Sequence, residues 1–307
     1  MISATLPNSW ELASLLCKFF FYLSAASIAG GSFCLWQFSD GRRLSVYHNL
    51  SYMMLGAIIG FQAVLFNFFV QVGQLNSSGF AGMFDWSIAS ILLDTSLGEV
   101  TFYRLGVFIW VLLATLLYLR KLKYATQPFS LAQYRRLVSI YALPFLLLAY
   151  TLSLSGHVSI LSTIAKIAII LHFCAFALWI GSLYPLLLFS GAADRELLRA
   201  GMKRFGDTAI GILLVLFGAG VLMALQLFNS LQEVFGTAYG LAMLVKLVFV
   251  LVLLGIAAIN KLVLVPRLNE QEGVKKLSAS FRVEMLAASL VLLVTAYLST
   301  LIGPAEH

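Results

Sequence analysis

Charged residues are the scarcest class in this chain: Asp, Glu, Lys and Arg make up 11% of its 307 residues, against roughly a quarter in soluble globular domains. With 61% hydrophobic residues and a mean hydropathy of +0.95, that scarcity excludes a water-soluble globular fold. Cysteine is nearly absent as well. Cys17, Cys34 and Cys174 lie inside apolar runs and form no C-x-x-C pair, which excludes a disulfide framework and a zinc finger and leaves three small buried hydrophobes. The chain has no Gly-rich loop ending in Lys-Ser/Thr, so nothing in it binds ATP in the P-loop manner. It also has no low-complexity tract, no internal repeat and no polar stretch long enough for a soluble domain.

What remains is a row of apolar runs about 20 residues long, the length that crosses the hydrocarbon core. Eight spans are expected: Leu12 to Trp36, His48 to Leu75, Gly98 to Leu119, Leu137 to Ser155, Leu161 to Phe189, Phe205 to Phe228, Ala238 to Lys261 and Val283 to Ile302. The expectation is an all-α polytopic membrane protein, a bundle of eight transmembrane helices. It forms one integral domain over residues 1–307, with four spans in 1–154 and four in 155–304. The first run is too long for a signal-peptide core and lacks a basic flank, so it reads as a retained span.

Lys and Arg are distributed on one side only. The loops after spans 1, 3, 5 and 7 hold Arg42 and Arg43; Arg120, Lys121, Lys123, Arg135 and Arg136; Arg195, Arg199, Lys203 and Arg204; and Lys261, Arg267, Lys275, Lys276 and Arg282. The other four, Lys18, Arg104, Lys166 and Lys246, fall inside spans. By the positive-inside rule both termini are then external. The formal charge of +7 is therefore an orientation signal and does not indicate a nucleic-acid partner. Glu11, Asp85, Asp94, Glu99, Glu233 and Glu306 make the opposite side acidic. Between spans 2 and 3, the run from Phe84 to Leu93 is amphipathic and is expected as a short interfacial helix anchored by Trp86. Gly30, Gly31, Gly218 and Gly220 are small residues within spans, of the kind that let helices approach closely.

Ionisable and polar side chains inside a span are costly, which makes them candidates for function. Lys18, Arg104 and Lys166 stand within about two turns of a span end and can snorkel to the headgroups. Arg104 also has Glu99 and Asp94 nearby for a local ion pair. Lys246 lies eight residues into span 7, about 12 Å down the helix, and is expected to face the bundle interior. Tyr239 and Asn260 fall within about 40° of it on a helical wheel, forming a polar stripe. Glu284 begins span 8 near the level of Asn260 and Lys261, where a clamp between the two spans and a transport pathway are equally compatible. His157 sits in the turn after span 4, and His172 eleven residues into span 5, near mid-membrane. Imidazole is a common ligand for copper, zinc and iron. Met223, Met243 and Met83 add thioethers on the same side as His157, and soft sulfur beside imidazole suits copper rather than magnesium or calcium.

The run Ser155-Gly156-His157, Leu171-His172, Ala177-Leu178-Trp179-Ile180-Gly181 and Leu183-Tyr184-Pro185 resembles the centre of the CopD (PcoD) copper resistance membrane proteins. Thr237-Ala238-Tyr239-Gly240, Lys246, Asn260, Leu264-Val265-Pro266-Arg267-Leu268, Arg282, Glu284 and Gly303-Pro304 are similar to that family's last two spans in order and spacing. The resemblance covers Ser155 to Pro304. Upstream it is limited to hydropathy and the Ala29-Gly30-Gly31 character of span 1. Ile167 to Ile170 stand where some members carry another His, and Phe205-Gly206 where Phe-Ser is common.

The resemblance implies an eight-span inner-membrane protein that handles copper ion, Cu(I) or Cu(II), with a periplasmic CopC-like copper-binding protein as partner. It assigns His157 and His172 as copper ligands, and Lys246 and Glu284 as matching polar positions. The expected function is copper transport and resistance with import to the cytoplasm and no enzymatic activity. Met223 and Met243 would complete the coordination, and Trp179, Tyr239, Lys246, Asn260 and Glu284 would line or orient the path. The rival readings are a b-type haem electron carrier, which needs paired axial histidines at one depth, and a non-transporting scaffold for a copper chaperone.

Overall fold

The structure is a computed structural model that describes residues 7–38, 42–124, 129–154, 160–192, 194–228 and 230–302. The described residues form α1 Ser9–Gln37, α2 Arg43–Asn76, α3 Trp86–Leu93, α4 Ser96–Tyr124, α5 Leu131–Thr151, α6 Thr163–Ala192, α7 Arg195–Leu227, α8 Leu231–Gly236, α9 Ala238–Ile259 and α10 Gln271–Tyr297. A 3₁₀ turn precedes α3 at Phe80–Phe84, and π-helical turns follow α9 at Asn260–Leu264 and α10 at Leu298–Ile302. No strand occurs among the described residues.

The helix starts are written in the sequence. Asn8 and Glu11 form a reciprocal capping box on α1, the Asn8 amide donating to Glu11 Oε2 at 2.8 Å and the Glu11 amide to Asn8 Oδ1 at 2.9 Å. Ser130 and Gln133 do the same for α5, while Asp194 caps α7 and Thr237 caps α9. Asp85 caps α3 by accepting from the Ser87 hydroxyl at 2.6 Å and the Ser87 amide at 2.9 Å. The short helix expected at Phe84 to Leu93 is thus α3, with Trp86 73% exposed at its start.

Among the described residues seven helices are long and apolar enough to cross a membrane, and they coincide with seven of the eight expected spans. The remaining expected span falls in α5, which carries Arg135 and Arg136 in its second turn. Its apolar part, from Leu137 to Thr151, rises only about 22 Å, less than the hydrocarbon thickness. The α2 helix has 34 residues and α7 has 33, so each is about 50 Å long and overhangs the hydrocarbon layer. Starting α7 at Arg195 and α10 at Gln271, rather than at the hydrophobic onset, carries both helices outward at the end rich in Lys and Arg.

The central helix is α1, packed against α2, α5, α6 and α10. One core cluster gathers Phe21, Ile28, Phe108, Tyr141 and Phe173 from α1, α4, α5 and α6, and a second gathers Trp179, Leu183, Leu253 and Phe281 from α6, α9 and α10. The two clusters meet along α1 and α6. A Cβ on Gly30 would collide with the Gly181 backbone and one on Gly181 with the Ala26 carbonyl, so here the two helices touch backbone to backbone. Gly31 is likewise closed in by Met53. Gly218 differs from the expectation, because nothing lies within 4 Å of its Cβ direction. It sits on α7, where Leu214, Phe217 and Leu225 are 69%, 72% and 69% exposed.

Candidate functional site

Helix packing gathers polar side chains into two places. The first is a cavity of about 560 Å³ at the end where α1 begins and α2 ends, reaching from Glu11 to Tyr22 along α1, about 16 Å of helix. Met223 of α7 and Tyr239, Met243 and Lys246 of α9 line it. Four of the sequence-predicted residues therefore line one cavity.

The opposite walls carry residues that sequence reasoning placed elsewhere. Lys18 and Arg104, expected to snorkel outward, both face this cavity. Lys18 Nζ donates to the Ser299 carbonyl at 2.6 Å, and Arg104 Nε donates to Thr151 Oγ1 at 2.9 Å while its guanidinium lies 4.3 Å over the Phe21 ring. The local ion pair from Arg104 to Glu99 or Asp94 does not form. The Glu99 carboxylate instead lies beside the Tyr103 hydroxyl. The misreading has a physical origin, since hydropathy reports depth and not direction. A signal for Arg104 was nonetheless present: Val100, Thr101, Val107, Phe108 and Val111 are all buried, and their offsets of −4, −3, +3, +4 and +7 put them on the Arg104 face of α4. Asn67, Gln71 and Gln74 form a similar i, i+4, i+7 stripe on α2 that went unread, and all three line the cavity. Gln71 Nε2 donates to Ser14 Oγ at 2.9 Å, whereas Asn67 Oδ1 and Thr300 Oγ1 are buried with no hydrogen-bond partner among the described residues. Cys17 contributes its thiol edge to the same lining.

His172 is not in that lining. It faces α7, its Nδ1 3.0 Å from the Leu216 carbonyl, which requires the proton on Nδ1 and leaves Nε2 as the free lone pair. Gly220 makes room for the ring: a Cβ there would come 3.3 Å from Cε1. Lys246 is near enough for its charge to act on the imidazole. His157, the other histidine candidate, lies outside the described residues. Among the described residues no three His, Cys, Asp or Glu side chains converge as a metal cage.

The second polar place lies toward the end rich in Lys and Arg. Asn260 Nδ2 donates to Glu284 Oε2 at 2.7 Å, and the Trp179 side chain lies beside the same carboxylate. Glu284 is 2% exposed and Asn260 6%. Three predicted residues thus form one buried knot joining α6, α10 and the π turn after α9. The polar stripe expected on span 7 is split between the two places, Tyr239 and Lys246 facing the cavity and Asn260 the knot. Lys261 takes no part in the knot. Its Nζ turns to α7, 2.9 Å from Asp207 Oδ1 and 2.7 Å from the Gly206 carbonyl.

Comparison with known proteins bears on the same elements. The family model described as "Copper resistance protein D" (CopD) matches residues 199–298, from α7 through α10. The chain is 24% identical over 225 residues to "Copper transport protein CutJ" of Bacillus subtilis, covering 71% of this chain and 39% of that protein. It is 26% identical over 204 residues to "Inner membrane protein YebZ" of Escherichia coli, covering 65% of this chain and 66% of that protein. The matched regions therefore span about two fifths of the first relative and just under two thirds of the second. No solved structure matches the chain.

Proposed function

We propose that this chain, whose residues 199–298 belong to the CopD family, moves copper ion across the bacterial inner membrane, from periplasm to cytoplasm. It is a multi-pass inner-membrane protein. The observation that carries the reading is the family match itself, because the matched segment contains Met223, Tyr239, Met243, Lys246, Asn260 and Glu284. In this account α5, about 31 Å long over its 21 residues with Arg135 and Arg136 at the inner headgroups, is the fourth of eight crossings, both termini are periplasmic, and the cavity opens toward the periplasm. Copper, as Cu(I) or Cu(II), would arrive from a periplasmic CopC-like protein and meet His157. It would then pass the thioethers of Met223 and Met243 on the way to His172 Nε2, soft and borderline donors that suit copper. Lys246, between the methionines and His172, repels a bare cation and serves as a gate rather than a ligand. The Trp179–Glu284–Asn260 knot fixes α10 against α6 and the turn after α9, keeping the inner half rigid.

Metal analysis of the detergent-purified protein tests this reading, with His157→Ala, His172→Ala and Met243→Leu beside the parent. Copper retained by the parent and reduced in the variants is the expected result. Equal copper in all four, or none in the parent, contradicts it.

A further inference from the structure

The cavity at the outer half of the bundle has a charge balance that copper binding does not explain. Three cationic side chains face it, Lys18 from α1, Arg104 from α4 and Lys246 from α9, and none has an ion-pair partner among the described residues. Lys18 and Arg104 are close enough to repel one another. The partners they do have are neutral: a carbonyl, a threonine hydroxyl and a phenyl face. Among the described residues Glu11 is the one acidic side chain in the lining. It is engaged in the capping box at the start of α1, seven residues or about 10 Å of helix from Lys18. Cations within the membrane ordinarily pair with carboxylates or carbonyls or reach the headgroups. Among the described residues only Lys18 meets a carbonyl, and all three line the same cavity.

We propose that this cavity binds an oxyanion, a phosphate group, between Lys18, Arg104 and Lys246. Arg104 spends its Nε on Thr151, so the two terminal guanidinium nitrogens remain to take phosphate oxygens in the fork geometry that arginine matches well. Lys18 and Lys246 supply point charges from two other helices. The volume, about 560 Å³, is that of a small-molecule site and accommodates the anion with water. The phosphate has two possible sources, a free ion from the outer compartment or the headgroup of an anionic lipid entering between the helices. Both satisfy the same three cations. The inference does not depend on copper.

The test uses the full chain reconstituted in phosphatidylcholine nanodiscs without copper. Thermal midpoints are compared in inorganic phosphate and in chloride at matched ionic strength, and then in nanodiscs containing phosphatidylglycerol. The expected result is a higher midpoint with phosphate, with phosphatidylglycerol, or with both. A response to phosphate alone assigns the free ion, and a response to phosphatidylglycerol alone assigns the headgroup. Lys246→Gln should weaken whichever response is seen by about tenfold in apparent affinity, as expected for one charge-assisted hydrogen bond, while Lys246→Arg should retain it. Gly218→Ala, on an open face of α7, should respond like the parent and control for folding. Equal midpoints in all three conditions for the parent, or an undiminished response in Lys246→Gln, would overturn the proposal.

Discussion

Gly30 of α1 and Gly181 of α6 meet backbone to backbone, and a side chain on either has nowhere to go. The contact lies between the two core clusters, where α1 and α6 carry the cavity wall and His172 respectively. Small residues at such crossings let helices gain dispersion and interhelical contact where no hydrophobic driving force between helices exists. Because the obstructing atoms are main chain, Gly30→Ala can be accommodated only by separating the helices. Its expected cost is about 1–3 kcal/mol, the range of overpacked core positions. Gly218→Ala should cost almost nothing. Thermal unfolding of the two variants side by side checks the contrast, and equal midpoints would contradict it.

The Trp179–Glu284–Asn260 knot makes a prediction about graded chemistry. Glu284→Gln keeps an acceptor for Asn260 Nδ2, so its stability should stay within about 1 kcal/mol of the parent, as intramembrane hydrogen bonds average well below that. Glu284→Ala leaves the Asn260 amide buried and unbonded and should cost about 1–3 kcal/mol. A clamp with no structural weight would show both variants alike in urea or thermal denaturation.

At the acidic end, Asp85 controls the start of α3. The Ser87 hydroxyl, followed by the Ile88 amide, holds its carboxylate below the ordinary value of 3.8. A group whose pKa is lower folded than unfolded stabilises fully above its unfolded value, and the benefit is lost as pH falls through the lower folded value. The start of α3 should therefore be intact from neutral pH down to about 3.8 and loosen only below it. Limited proteolysis between Asn76 and Trp86 over a pH series checks this with an acid-stable protease. Loosening between pH 7 and 5 would show that another group controls the loop.

How much of this was legible follows from which forces are local. The span positions could be read because hydropathy over some 20 residues decides whether a helix enters lipid, and Leu12 to Trp36 differs from α1 by only a few residues. The caps at Asn8, Ser130, Asp194 and Thr237 are equally local. The extension of α7 back to Arg195 and of α10 back to Gln271 could not be read from hydropathy, since those turns lie beyond the apolar stretch. The direction of a polar side chain was legible only where its own helix had a marked face. Lys246 and Tyr239 were read together correctly, and Arg104 had the same kind of signal on α4. Lys18 had none, because the exposed face of α1 around it, Leu12, Leu16 and Phe20, is as apolar as the buried one, and only the packing of the π turn after α10 against α1 brings the Ser299 carbonyl to it.

His172 offers a sharper probe of the copper path than removal of the ring alone. With Nδ1 committed to the Leu216 carbonyl, the ligand nitrogen is Nε2. Gly220→Ala would press on Cε1 and tilt the ring without deleting it. Copper binding by Gly220→Ala should fall between the parent and His172→Ala, with the fold retained by circular dichroism. Parent-like copper in Gly220→Ala together with loss in His172→Ala would place the constraint on the ring elsewhere.

The central claim, that copper crosses the membrane through this protein, is tested most directly by uptake into proteoliposomes containing a copper-sensitive dye. The purified full chain should admit copper faster than protein-free liposomes under an inward copper gradient, and Met243→Leu and His172→Ala should each slow it. Uptake no faster than in protein-free liposomes would contradict the claim.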